Sequence, residues 1–171
     1  MQAKQTDKTT EFRAMYDRQM PQVYRLALML LGNAADAEDI AQQVFAKAWE
    51  KRPRFRDAGH ENAWFITVTR NQSRDLLKSS YRRRRTALSD VPEPQMAFSS
   101  REEDALWLAL QELPDKYRIL VYLHYYGGYS LRELSHLLHR RESTLQTQLA
   151  EARKRLRDIL EKEQGEEKHE G

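Results

Sequence analysis

Residues 81–100 carry no hydrophobic period of any kind, and that break fixes what this chain can build. Four consecutive arginines, Arg82, Arg83, Arg84 and Arg85, give way to Thr-Ala-Leu-Ser-Asp and then to Val91-Pro92-Glu93-Pro94. Such a stretch reads as a flexible linker, not as an element that packs. The chain has 171 residues, so two short segments remain, and each must close a small core of its own. The expected division is a first domain over 8–80, a linker over 81–101, a second domain over 102–161 and a polar, disordered tail over 162–171.

Both segments read as helical. Gly numbers 6 and Pro 5, which favours helices over turn-rich sheets. Phe12, Met15, Tyr16, Val23, Tyr24, Ala27, Leu30 and Leu31 recur at spacings of three and four. Pro21 interrupts that run, leaving either two helices or one with a kink. Gly32 then serves as a C-cap and Asn33 as the next N-cap. Ala37, Ile40, Ala41, Val44, Phe45, Ala48 and Trp49 form an unbroken apolar stripe that Pro53 stops. Residues 54–62 read as a loop. A third helix is expected over 63–80, with Trp64, Phe65, Val68, Leu76 and Leu77 on its apolar side.

In the second segment a helix over 102–113 precedes Pro114, and another runs to Gly127-Gly128. Ser130-Leu131-Arg132-Glu133 is a capping box, and Leu131, Leu134, Leu137 and Leu138 follow it as an apolar face. After a break at 139–142, Ser143-Thr144-Leu145-Gln146 reads as a second capping box opening a last helix. The fold class is all-α: two small helical domains joined by a flexible linker.

Several chemistries are excluded at this level. Cys is 0, which removes disulfides, thiolate zinc sites and a Cys nucleophile and fits a reducing compartment. The longest apolar run, Leu26-Ala27-Leu28-Met29-Leu30-Leu31, is far short of the ~20 residues that a membrane span needs. The N-terminus lacks the apolar stretch of a signal peptide. A cytoplasmic protein without membrane insertion is expected. The histidines at 60, 124, 136, 139 and 169 show no metal-ligand spacing, and no phosphate loop or nucleophile elbow is present. No catalytic, metal or cofactor residues are expected, and the chain does not read as an enzyme.

Charge distribution says more than the net charge of +3. Arg54 and Arg56 flank Phe55, and Trp64, Arg70, Asn71 and Arg74 follow. Cations, an aromatic ring and an amide suit single-stranded nucleic acid, whose unstacked bases need a stacking platform and an edge reader. The competing reading makes Trp64 a core residue and the arginine block a solvated linker. Two short capped helices around residue 140 form a helix-turn-helix pattern. There, Ser143, Thr144, Gln146, Thr147 and Gln148 suit base edges, and Arg140, Arg141 and Arg153 suit phosphates. An ordinary helical hairpin would read similarly. The acids Asp36, Glu38 and Asp39 fit the dipole of a helix start or a docking surface for a basic protein.

At this point the residues resemble a family. Asp36-Ala37-Glu38-Asp39-Ile40-Ala41-Gln42-Gln43-Val44-Phe45, then Ala48-Trp49 and Phe55-Arg56, look like region 2 of bacterial sigma-70 factors of the extracytoplasmic-function (ECF) group. Ala63-Trp64-Phe65, Thr69-Arg70-Asn71 and Asp75-Leu76-Leu77 continue it. Tyr126-Gly127-Gly128-Tyr129-Ser130, Glu133-Leu134 and Ala152-Arg153-Lys154-Arg155-Leu156 look like region 4. The resemblance implies a subunit that binds core RNA polymerase and directs promoter-specific transcription initiation. Asp36, Glu38, Asp39, Gln42 and Gln43 would dock on the polymerase clamp helices. Arg54, Arg56, Trp64, Arg70, Asn71, Arg74 and Arg82, Arg83, Arg84, Arg85 would open and hold the −10 element, with Asn71 beside a flipped-out base. The helix-turn-helix would read the −35 element and touch the polymerase flap. Promoter DNA, both duplex and single-stranded, and an anti-sigma factor are the further partners implied. The turn departs from the family by carrying His139 and Arg140 where small and apolar residues are usual. Gln146, Gln148 and Glu151 stand where the family usually carries basic residues, which should weaken phosphate contact there. The alternatives are a free-standing helix-turn-helix regulator and a sigma-like interaction protein that reads no promoter.

Overall fold

A computed structural model describes residues 2–84 and 101–167. They form two compact helical units. The expected linker from 85 onward, Arg85 itself and the tail residues 168–171 lie outside the described residues.

The first unit contains α1 (Gln2–Leu31), α2 (Ala34–Lys51) and α3 (Ala58–Arg84), each packed on the other two. The α2 stripe is buried as its spacing requires: Ala37, Ile40, Ala41, Val44, Phe45 and Ala48 face Val23, Leu26, Ala27 and Leu30 of α1 and Phe65, Ile66 and Val68 of α3. Phe45 sits at the centre, with ring centroids 5.3 Å from Phe65 and 4.5 Å from Tyr16. Truncating so enclosed a ring costs about 3–5 kcal/mol. Asn33 caps α2 by accepting from the Asp36 backbone N–H at 2.8 Å. α1 runs through Pro21 as one helix, because Pro21 lies on the exposed side, where water can take the backbone acceptor that a proline leaves without its bond.

α3 begins five residues before the expected start, which corrects the loop over 54–62. Asp57 caps it by accepting from the His60 backbone N–H at 2.7 Å. Glu61 and Asn62 therefore belong to its first turns. The Arg18 guanidinium donates through Nε and Nη2 to both Glu61 carboxylate oxygens at 2.9 Å, and the Gln19 amide donates to Glu61 at 2.7 Å and to Asn62 at 2.8 Å. This clasp ties α1 to α3. The helix also runs on to Arg84, past the expected end at 80, since arginine is a good helix former even where no apolar period continues.

The second unit contains α4 (Arg101–Glu112), α5 (Asp115–Val121), a single π turn (Tyr122–Tyr126), α6 (Leu131–Leu138) and α7 (Glu142–Glu167). α4, α5 and α6 all pack on α7 around Leu110, Leu113, Ile119, Leu120, Leu123, Leu134, Leu145 and Leu149. The Arg118 guanidinium is buried and donates to the carbonyls of Gln111 at 2.9 Å and Leu113 at 2.7 Å, satisfying acceptors that the end of α4 leaves open. Gly127 closes the π turn: a Cβ there would come within 2.7 Å of the Leu123 carbonyl and 2.9 Å of the Tyr129 ring. The capping box at Ser130 and Glu133 forms as its spacing predicts, with bonds of 3.2 and 2.8 Å. The second box does not open α7: that helix starts at Glu142, so Ser143 lies inside its first turn. α7 also continues to Glu167, which corrects the expectation of disorder from 162.

The Arg18–Glu61–Gln19 clasp has a pH signature. Arg18 above all, then Gln19, holds the Glu61 carboxyl below the usual glutamate range, against the pull of burial. The resulting stability is complete above about pH 4.3, the ordinary glutamate value, and is lost as pH falls through the lower folded value. Glu61→Gln should lower stability by about 1–3 kcal/mol at neutral pH, and the gap to wild type should close toward pH 3. Thermal melts followed by circular dichroism check this; a gap constant with pH would contradict it.

Candidate nucleic-acid interface

The outer side of α3 is one continuous polar stripe. His60, Trp64, Thr67, Asn71, Arg74 and Lys78 recur at spacings of three and four, opposite Phe65, Ile66, Thr69 and Ser73, which are buried. From Trp64 to Lys78 it extends about 21 Å at 1.5 Å per residue. Asn71 and Arg74 are exposed and one turn apart. Arg70 is half-buried at the edge of the stripe and holds interactions of its own.

Trp64 is partly a core residue. It is half-buried, with its ring 4.9 Å from Phe65 and 5.9 Å from Phe55, yet it lies two turns from Asn71 on the same face. Phe55 is the anchor of the segment between α2 and α3. It packs on His60, Trp64 and Phe65, while its neighbours Arg54 and Arg56 are both exposed. One ring therefore holds two cations beside the start of the stripe. His60, missed by sequence reasoning, stands there too, with its Nδ1 accepting from the Arg56 backbone N–H at 3.3 Å. Its signal was the Asp57 cap, hidden by Gly59 and a polar run. Arg82, Arg83 and Arg84 continue the α3 backbone, but their side chains are not among those described.

On α2 the sequence-predicted acids separate. Glu38, Asp39, Gln42 and Gln43 are exposed on the side away from the core. Asp36 is instead half-buried and accepts from the Asn33 side chain at 2.7 Å. It takes part in the cap, unlike the four exposed residues.

In the second unit α6 and α7 meet across a turn of left-handed backbone at His139 (φ 53, ψ 46). Ser143, Thr144, Gln146 and Thr147 are exposed on the first turns of α7. The Thr147 hydroxyl already donates to the Ser143 carbonyl at 3.2 Å. Ser143, Gln146, Ala150, Arg153 and Arg157 fall on one face, so that face is uncharged in its first half and cationic in its second. Gln148 is not on it. This residue is half-buried, and its Oε1 accepts from Arg140 Nη1 at 3.1 Å. The same Arg140 nitrogen reaches the Lys116 carbonyl at 3.4 Å. Arg140 therefore ties the turn to α5 and α7, while Arg141 is exposed. Arg153 donates to the Tyr125 hydroxyl at 3.2 Å. Among the described residues no group of acids and histidines could hold a metal ion, and no helix is long and apolar enough to cross a membrane.

Comparisons with known proteins fit this geometry. The Sigma-70 region 2 family profile matches residues 15–85, and Sigma-70, region 4 matches residues 103–156. The ECF RNA polymerase sigma factor SigL of Mycobacterium tuberculosis is 31% identical over 156 residues, spanning 87% of this chain and 88% of that protein. The sigma factor RpoE of Bartonella quintana, solved with the anti-sigma factor NepR, superposes with a TM-score of 0.76 at 21% identity, covering 88% of this chain and 97% of RpoE. CnrH, solved with the cytosolic domain of CnrY, gives 0.65 at 20% identity over 90% of this chain and 89% of its own.

The Arg140–Gln148 contact should behave as a coupled pair. Arg140→Ala and Gln148→Ala should each destabilise α6 and α7 by about 1 kcal/mol, and the double variant should cost less than the sum. Native-state hydrogen exchange of the α6 and α7 amides reads this directly. Additive losses would mean that the two side chains act independently.

Proposed function

Because the chain belongs to the ECF group of the sigma-70 family, we propose that it binds core RNA polymerase and directs initiation at specific promoters, opening DNA at the −10 element and reading a −35 element. The observation that carries this reading is the outer α3 stripe, where a half-buried aromatic ring, an exposed amide and the exposed cations Arg74 and Lys78 share one face. Residues 8–80 are the polymerase-binding and −10 domain, and residues 102–161 the −35 domain. Glu38, Asp39, Gln42 and Gln43 supply the polar surface for the polymerase clamp helices, and the second unit also meets the flap. The catalysis of RNA synthesis belongs to the polymerase.

The mechanism is strand capture. Unpairing and unstacking a base costs a few kcal/mol. A base that leaves the helix can stack near Trp64 and meet the Asn71 carboxamide, while Arg54, Arg56, Arg70 and Arg74 follow its phosphates. These contacts exist only with an unpaired strand, so they favour the open state over the closed one. The Arg82, Arg83, Arg84, Arg85 block continues the cationic path. An anti-sigma factor is the natural regulator, since both relatives of similar fold were solved with a bound protein, in one of them a named anti-sigma factor.

Run-off transcription with purified core polymerase, this chain and fragmented genomic DNA tests the proposal. Asn71→Ala should lower permanganate reactivity of the melted region about tenfold while leaving duplex binding within about twofold, as the loss of a contact made only to an open base requires. An unchanged footprint removes Asn71 from the role. Tight duplex binding by the chain without polymerase would favour a free-standing regulator instead.

For the upstream element, Gln146 is exposed and Gln148 is engaged by Arg140. Gln146→Ala should therefore shift base preference in a randomised −35 library, by about 1–3 kcal/mol at one position. Gln148→Ala should weaken all sequences similarly. Equal preference profiles for wild type and Gln146→Ala would count against base reading by that side chain.

A further inference from the structure

We propose that the groove between the first half of α1 and the end of α2 is a second single-strand site, which takes one unpaired DNA base beside Trp49 with flanking phosphates on Lys8, Arg52 and Arg54. The inference rests on the promoter-opening function above and adds a site that the α3 stripe does not contain.

The groove encloses about 300 Å³, lined by Lys8, Phe12, Trp49, Arg52, Pro53 and Arg54 among others. That volume is at the lower end of small-ligand sites. Trp49 closes the apolar stripe of α2, yet 43% of its surface is exposed. Its ring is fixed from one side by Phe12, whose centroid is 5.0 Å away in an edge-to-face contact. The Arg52 guanidinium lies 5.3 Å from the Trp49 ring centroid. Indole rings and guanidinium planes are the groups on which unstacked bases stack; here the guanidinium lies over the indole, so a base would stack on the outer side of that pair.

The backbone at Arg52 supplies a second, independent observation. Arg52 ends α2 in the left-handed region (φ 46, ψ 57) and donates its N–H to the Ala48 carbonyl at 2.9 Å. Pro53 disfavours the helical alternative for the residue before it, and glycine is the residue that takes a left-handed cap without strain. Arginine there accepts strain and places a cation on Trp49. Strain of this kind, observed first, points to a role for the side chain.

Charge selects the occupant. The ionisable groups of the lining are Lys8, Arg52 and Arg54 against Glu11, an excess of cations that favours a polyanion over an acid-poor protein segment. Position agrees: Arg54 lines the groove, and the next residue, Phe55, packs on His60 and Trp64 at the head of the α3 stripe. A strand leaving that stripe passes from Arg56 to Arg54 and into the groove.

The experiment uses holoenzyme assembled from core polymerase and the full chain. Its probe is a promoter fragment recovered by run-off transcription, prepared with a mismatched bubble, in which each unpaired nucleotide is replaced in turn by an abasic residue. Wild type should lose at least fivefold in affinity at one abasic position beyond the one sensed by Asn71. Trp49→Ala should bind the intact bubble at least fivefold more weakly and show no further loss at that position. Arg52→Gly, which relieves the left-handed strain and so keeps the fold, should lower the log–log salt slope by about 0.7. If Trp49→Ala retains the wild-type abasic profile, the groove holds no base. If Trp49→Ala instead impairs holoenzyme assembly with the profile unchanged, a protein occupies the groove and the proposal falls. If wild type senses no abasic position at all, the Asn71-dependent one included, the strand-capture function itself is wrongly assigned, an outcome distinct from both.

Discussion

The shared core of α1, α2 and α3 is the constraint on which the first unit depends. With only three helices, each can bury one face, and Phe45 and Phe65 consume the inward faces of α2 and α3. Among the described residues the outer face of α3 is left exposed at Asn71, Arg74 and Lys78, with Trp64 half-buried at its head. A strand-capturing surface needs that condition, because an aromatic or amide group buried by a fourth helix could not meet a base. The Arg18–Glu61–Gln19 clasp fixes how α3 is turned about its own axis. It thereby decides that Phe65 points in and that Asn71, six residues on, points out.

What could be read from the sequence follows from how much of each signal is periodic. The α2 stripe and the Ser130–Glu133 box involve residues close in sequence whose spacing is the interaction itself, so both appear as expected. The start of α3 was hidden because its determinants are polar: Asp57 caps it and Glu61 is buried against residues more than forty positions away. No local pattern encodes a partner at that distance. Site residues divided in the same way. Asn71, Arg74 and Gln146 are exposed as their helical phase requires. Asp36 and Gln148 were assigned by residue type to binding surfaces, and each has a neighbour, Asn33 or Arg140, that engages it within the fold.

Among the described residues, two non-glycines adopt left-handed backbone, Arg52 and His139. Both end a helix, and in each case the backbone N–H still closes a bond, to Ala48 and to Ser135. A glycine would cap either helix with less strain. After His139 comes the Arg140 tie to Lys116 and Gln148, so the turn holds its angle through hydrogen bonds where an apolar residue would hold it by packing. Polar ties of this sort are directional. They fix the start of α7 relative to α5 without adding bulk between them.

The uneven charge along α7 bears on how the proposed function would divide between the two units. Its outer face is uncharged at Ser143, Gln146 and Ala150 and cationic only from Arg153 onward. Near the first turns the exposed Arg141 could neutralise a phosphate, but the face itself carries no cation before Arg153, so counterion release contributes less there than along the second half. Base-edge contacts by amides and hydroxyls are worth only about 1–3 kcal/mol each. A domain with so weak an independent hold gains chiefly from being tethered: once the first domain is engaged, the second binds at the effective concentration that its connection allows. On the proposed function, selectivity for a promoter would reside in the pair of sites taken together, and neither face would need the high charge that binds DNA indiscriminately.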